Sequence, residues 1–179
     1  MKTTRVVRIG LFACLTVLGA LISFPTPLSV VPVSLQTPCT LSAGFVLGPK
    51  DGAISQLLYL LVGAVGLPVF AGQTGGIGVL VGPTAGFLWG FVLSAALTGL
   101  LNRFFRPQKV TGIFLCLIAG MLVIYISGAV GLMTVMEYSL IQAIVSGVFP
   151  FVLADFIKLL AAAYLINRLG KAKILSAAS

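Results

Sequence analysis

Apolar residues in this chain run in six long blocks, and the polar residues gather in the gaps between them. The blocks lie at approximately Val6–Phe24, Val33–Leu47, Ala53–Phe70, Pro83–Leu101, Val110–Gly131 and Phe151–Leu169. Most come close to the roughly 20 apolar residues that an α-helix needs to cross a bilayer core. The pattern predicts an all-α membrane protein, one integral domain over residues 1–179, folded as a compact bundle of six transmembrane helices. The second block is the shortest and contains Pro38, so a kink or a re-entrant turn is expected there. Broken backbone at membrane depth is tolerated only inside protein or along a cavity. The proline-rich stretch Pro25–Pro38 is therefore expected to cap or enter something.

Charge in the gaps orients the bundle. Lys2, Arg5 and Arg8, the pair Lys50-Asp51, Arg103–Lys109, and Arg168, Lys171 and Lys173 fall on alternate sides of the blocks from Pro25–Pro32, Ala71–Gly82 and Leu132–Pro150, which contain no Lys or Arg. Positive residues stay on the cytoplasmic side. Both termini are expected in the cytoplasm, in a multi-pass protein of the cell membrane. The basic N-terminus resembles the start of a signal peptide. Its apolar run continues to Phe24 and ends in Phe24-Pro25-Thr26-Pro27, so an uncleaved first span is expected. Leu132–Pro150 is too long for a turn and predicts a short interfacial helix or lid, with Pro150 near a first helical turn.

Composition agrees and excludes several chemistries. The chain is 59% hydrophobic and 8% charged, with net charge +8 and mean hydropathy +1.19. A soluble domain carries roughly 25% charged residues. The basic residues flank apolar runs and form no patch with interleaved aromatics, so nucleic acid is not an expected partner. Cys14, Cys39 and Cys116 lie far apart without a C-x-x-C pair, and histidine is absent. No Ser-His-Asp triad, Cys-His dyad or His-ligated metal can form.

Three carboxylates remain: Asp51, Glu137 and Asp155. Asp51 sits in Gly48-Pro49-Lys50-Asp51-Gly52 and reads as turn chemistry, and Glu137 lies in an outer segment. Asp155 falls inside the sixth block, where a carboxylate costs a few kcal/mol and is functional by default. Lys158 follows one turn later on the face Phe151, Asp155, Lys158, Ala162. A ligand site or a structural ion pair would each account for the two charges. The outer run Leu67-Pro68-Val69-Phe70-Ala71-Gly72-Gln73-Thr74-Gly75-Gly76-Ile77-Gly78 is glycine-rich and serves either ligand approach or tight packing. It is neither a Walker A loop nor G-x-G-x-x-G. Gly86, Gly90, Gly120 and Gly128 read as helix-packing residues. Tyr125 either faces a cavity or anchors the interface.

Five segments, in order and spacing, resemble the BioY family: Val31-Pro32-Val33-Ser34-Leu35-Gln36-Thr37, Leu47-Gly48-Pro49-Lys50, Gly66-Leu67-Pro68-Val69-Phe70-Ala71-Gly72, Val81-Gly82-Pro83-Thr84-Ala85-Gly86 and Asp155-Phe156-Ile157-Lys158. The resemblance spans almost the whole chain. It implies the biotin-specific S-component of an energy-coupling-factor transporter, with a six-helix fold and a biotin pocket near the outer face. It also implies a transmembrane coupling subunit and two ATPase subunits as partners. Biotin would be the transported substrate, and no cofactor is expected. The family's Asp-x-x-Lys pair maps onto Asp155 and Lys158, and its polar position in the first outer segment onto Gln36. S-components often carry Ala-x-x-x-Ala on the first helix for docking; here Ala13 is followed by Val17, with Thr16/Ala20 and Gly19/Ser23 the nearest small pairs.

Given biotin, its ureido ring would meet Asp155 as acceptor and Lys158 as donor. Its carboxylate would meet Gln36, Gln73, Thr74 or the backbone N–H groups of Gly75 and Gly76. An S-component for another small vitamin, an intramembrane hydrolase built around Lys158, and a scaffold are the rival readings. Without histidine and with few carboxylates, the hydrolase is left only a Lys-assisted mechanism, and the scaffold leaves the charged pair unexplained.

Overall fold

The computed structural model describes residues 2–26 and 29–171. Along them run α1 (Lys2–Leu21), β1 (Ser23–Thr26), β2 (Ser29–Ser34), α2 (Gln36–Leu47), α3 (Pro49–Ala64), α4 (Ala85–Phe105), α5 (Val110–Val135), α6 (Leu140–Gly147) and α7 (Phe149–Lys171). A single 3-10 turn, Ile77–Leu80, interrupts the long connection from α3 to α4. Among the described residues, four helices are long and apolar enough to cross a membrane: Thr3–Leu21 of α1, Ala85–Phe105, Val110–Val135 and Phe149–Gly170 of α7. Their outward faces stay apolar, with Leu11, Leu18, Leu115, Ile126, Leu153 and Ile157 all exposed. Apolar surface on this scale suits lipid, not water.

The second and third blocks fold differently from the expectation. The first residues of the second block end strand β2, and α2 begins only at Gln36. Its 12 residues rise about 18 Å, well short of a bilayer core. Pro38 causes no kink, because it occupies the first turn, where the backbone N–H has no intrahelical partner. Gly48 alone separates α2 from α3, at φ 86°, a backbone region open to glycine and costly for other residues. Pro49 then opens α3, which places Lys50 and Asp51 in its first turn instead of a loop. Asp51 is consequently not a turn residue. It accepts the Arg5 guanidinium, Nη2 at 2.6 Å and Nε at 2.8 Å, and so joins the starts of α1 and α3. The third helix also ends early, at Ala64, and residues 65–70 are loop.

The proline-rich segment is a β-hairpin added to the helical bundle. Its register pairs Ser23 with Ser34, Phe24 with Val33 and Thr26 with Ser29, with an irregularity between Phe24 and Thr26. Pro25 and Pro32 are accommodated because both strands of a two-stranded ribbon are edges. The hairpin is tied to the end of α1: the Leu35 N–H donates to the carbonyls of Gly19 at 2.9 Å and Ile22 at 3.3 Å. These are groups that a helix C-terminus leaves unsatisfied.

Close backbone contact holds α4 to α5. A Cβ on Gly131 would lie 2.7 Å from the Gly86 Cα, and one on Gly86 would lie 2.9 Å from the Gly131 Cα. Small residues facing each other in this way let two membrane helices approach and gain dispersion contacts. Elsewhere the bundle is joined by polar groups. Thr16, Thr40, Ser55 and Gln56 are all fully buried. Gln56 Nε2 donates to Thr16 Oγ1 at 3.2 Å, and Thr40 Oγ1 donates to Gln56 Oε1 at 3.0 Å. One side chain thereby links α1, α2 and α3.

Beyond α5, which runs four residues past its expected end, Glu137 takes a left-handed φ of 54°. The short helix expected in this region is α6. It is opened by a capping box in which the Gln142 N–H donates to Ser139 Oγ and the Ser139 N–H to Gln142 Oε1. Pro150 is the second residue of α7. The hairpin packs against α6, and the glycine-rich loop meets the hairpin through the Gly72 N–H, which donates to Ser23 Oγ. Together they roof one end of the bundle.

Candidate ligand-binding site

Beneath that roof, α7 presents Phe151, Asp155 and Lys158 on one face, as the i, i+4, i+7 spacing requires. Asp155 lies about 9 Å along the helix from Phe149 at 1.5 Å per residue and is only 4% exposed. A lone carboxylate this deep would carry a large desolvation cost. Both of its oxygens are engaged: Oδ1 accepts Lys158 Nζ at 3.0 Å, and Oδ2 accepts the Tyr125 hydroxyl of α5 at 2.9 Å. Lys158 Nζ also donates to the Ser34 carbonyl at 2.9 Å, clamping the end of the hairpin to α7.

Gln36, the first residue of α2, is buried beside this pair. Its Oε1 accepts the Ser34 hydroxyl at 3.0 Å, and its Nε2 donates to the Tyr59 hydroxyl of α3. Tyr59 in turn donates to the Val69 carbonyl at 3.1 Å. A continuous polar girdle therefore runs from the glycine-rich loop through α3, α2, the hairpin and α7 to α5.

The girdle encloses a narrow pocket of about 60 Å³. Asp155, Tyr125, Gln36, Ser34, Thr37 and Thr74 supply its polar surface. Phe70, Phe87, Phe91 and Phe151 supply flat apolar walls from three segments: the α3–α4 connection, α4 and α7. A wider hollow lies above it beneath the hairpin and is lined by Ser23, Ser29, Gly72 and Gln73 among others. Pro32, Ala71, Thr74 and Thr84 border both spaces.

The eight residues singled out from sequence thus separate into groups. Asp155, Tyr125, Gln36 and Thr74 line one pocket. Lys158 does not line it but pairs with Asp155 from behind, its side chain 16% exposed. Gln73 faces the upper hollow, at a left-handed φ of 57°. Gly75 is packed against the Leu67 carbonyl, and the Gly76 N–H already donates to the Gly63 carbonyl at 2.8 Å. Gly76 is consequently not a free donor. The Thr74 hydroxyl bonds the Ala71 carbonyl at 3.2 Å. Sequence reasoning missed Ser34, Tyr59 and the aromatic walls. Ser34 lies within the quoted segment around Gln36, and Phe87 and Phe91 stand one turn apart on α4, so spacing offered a signal for both. Tyr59 gave none, because its partners lie 23 and 10 residues away in the chain.

Fold and site define a multi-pass helical membrane protein with a roofed pocket that has a charged floor and aromatic walls. The chain belongs to the BioY family, whose sequence profile matches residues 1–174. It is 39% identical over 170 residues to the biotin transporter BioY of Thermotoga maritima, covering 95% of this chain and 98% of that protein. It is 36% identical over 173 residues to the biotin transporter BioY of Rhizobium etli, covering 92% of each. A crystal structure of the S-component for biotin from an ECF-type ABC transporter superposes with a TM-score of 0.87 at 26% identity, covering 95% of this chain and 92% of that one.

Proposed function

We propose that this chain captures biotin and carries it across the cytoplasmic membrane as the substrate-binding subunit of an energy-coupling-factor transporter. The observation that carries the reading is Asp155, buried yet fully paired at the floor of an aromatic-walled pocket. Pairing with Lys158 and Tyr125 holds the carboxylate ready without leaving an isolated buried charge. Each carboxylate oxygen has a second acceptor site, which suits the two ureido N–H groups of biotin. Two of the three Lys158 N–H groups are committed, and the third donates to the ureido carbonyl. The aromatic walls enclose the fused rings. The ligand's own carboxylate is repelled by Asp155 and costs least where water reaches. It therefore points to the mouth, toward Gln73 and Thr74, with Gln36 flanking the ring and Gly75 and Gly76 supporting the loop.

Six membrane crossings fit this role. The hairpin enters the bundle from above, so α2 starts below the membrane surface and needs only 12 residues to reach the other side. Segregation of Lys and Arg puts both termini in the cytoplasm. The Arg5–Asp51 bond, which brings the N-terminus to the α2–α3 joint, supports that orientation. The chain contains no phosphate-binding sequence of the Walker type, so accumulation against a gradient requires a coupling subunit and ATPase subunits. Radiolabelled biotin binding to the purified chain in lipid nanodiscs tests the reading. Saturable binding without nucleotide is expected; no saturable binding would refute it.

A further inference from the structure

We infer that Tyr59 is a positioning residue that sets the donor–acceptor orientation of Gln36 and fastens the glycine-rich loop to the same atom. This rests on the reading of Gln36 as a ligand contact in the biotin pocket. Tyr59 is fully buried on α3 and does not line the pocket, so it acts only through neighbours. Its hydroxyl has one proton to give. The Val69 carbonyl can only accept, and it takes that proton at 3.1 Å. Toward Gln36 the hydroxyl is left as an acceptor, which forces the amide nitrogen to face Tyr59. The amide oxygen then faces the Ser34 hydroxyl, 3.0 Å away. An amide that could flip would offer a ligand either polarity at the same place; held from both sides, it offers one.

The ring of Tyr59 works on the same loop. It packs edge-on against Phe70, with centroids 5.4 Å apart and planes at 87°. Phe70 also lies against Gly63, one turn further along α3, where any Cβ would overlap the ring. Tyr59 and Gly63 thus form a slot for a side chain that is itself a wall of the pocket. A single hydroxyl joins the two segments that roof the site: Gln36 at the foot of the hairpin and Val69 at the start of the glycine-rich loop.

Tyr59→Phe removes the hydroxyl and keeps the ring. Measured beside Gln36→Ala and the double variant, it is expected to weaken biotin about tenfold, the scale of one net hydrogen bond. The double variant should bind no worse than Gln36→Ala, because the two residues act through one amide. Amide hydrogen exchange of the ligand-free proteins gives a second readout. In Tyr59→Phe, residues 29–35 and 71–76 should both exchange faster while α5 is unchanged, which excludes general loosening. Multiplying losses in the double variant, wild-type affinity in Tyr59→Phe, or unaltered exchange in both loops would each overturn the inference. If the wild type itself fails to bind biotin, the functional reading falls, and the exchange measurement still decides the role of Tyr59.

Discussion

Two ion pairs, at opposite ends of the bundle, look alike by distance and differ in everything else. Arg5–Asp51 is the shorter, at 2.6 Å, but its side chains are 57% and 21% exposed. Asp155–Lys158 is longer, at 3.0 Å, with side chains 5% and 16% exposed. Exposed pairs gain little, because solvent and salt screen the attraction and two side chains must be immobilised. Burial reverses the consequence of losing a partner. The pair as a whole need not add stability, yet removing one member strands a charge away from water. Length is therefore a poor guide here, and surroundings decide which pair the protein depends on.

The largest expected effect comes from stranding the buried lysine. Asp155→Ala should lower unfolding stability by about 3 kcal/mol and reduce biotin affinity by at least about a hundredfold, measured by thermal unfolding in detergent and by ligand binding. Asp155→Asn with Lys158→Met removes both charges and should recover most of the stability but none of the affinity. Recovery of binding in that double variant would mean that charge at the pocket floor is structural, and the contrast between the two pairs would lose its functional half.

A smaller effect separates two roles for Lys158. Lys158→Met should weaken biotin and its methyl ester by similar factors, if the ammonium serves the ureido carbonyl and Asp155. The ester alone should bind wild type less well than biotin, because the mouth loses a charged partner. Should the Lys158 effect vanish with the ester, the lysine pairs with the ligand carboxylate and the tail-outward orientation is wrong.

The smallest effect is expected at the exposed pair. Asp51→Asn should leave the melting temperature within about 2 °C and biotin affinity unchanged. Any residual change should fade as salt is raised. A larger loss would show that joining α1 to α3 matters in a way its exposure does not suggest.

The same contrast explains what could be read from sequence. Asp155 and Lys158 stood out because charge inside an apolar block has few explanations. Gly86 was legible as a packing residue for a similar reason: it stands in a block that must pack against a neighbour. The glycine-rich loop was ambiguous, since a missing side chain serves a ligand and a neighbouring backbone equally well. Gly75 and Gly76 proved to serve backbone. The hairpin was hidden by its three prolines, which argue against strands unless both edges are free. Tyr59 was invisible because its role depends on two partners that only the tertiary fold assembles. Asp51 misled because Pro49 both marks turns and begins helices, and here it begins one.

Gly48 bears on how the chain reaches its membrane. A helix as short as α2 is a weak signal for lateral release into lipid during synthesis, and α3, at 16 residues, is only a little longer. One residue of linker leaves no slack for either to be released and wait for the other. In a six-crossing topology the two must partition as a single helical hairpin, its joint staying on the cytoplasmic side with Lys50. The left-handed turn at Gly48 is thus needed before any pocket exists. A side chain there, strained by about 1 kcal/mol or more, would be felt first in how much protein is made and only afterwards in how well it works.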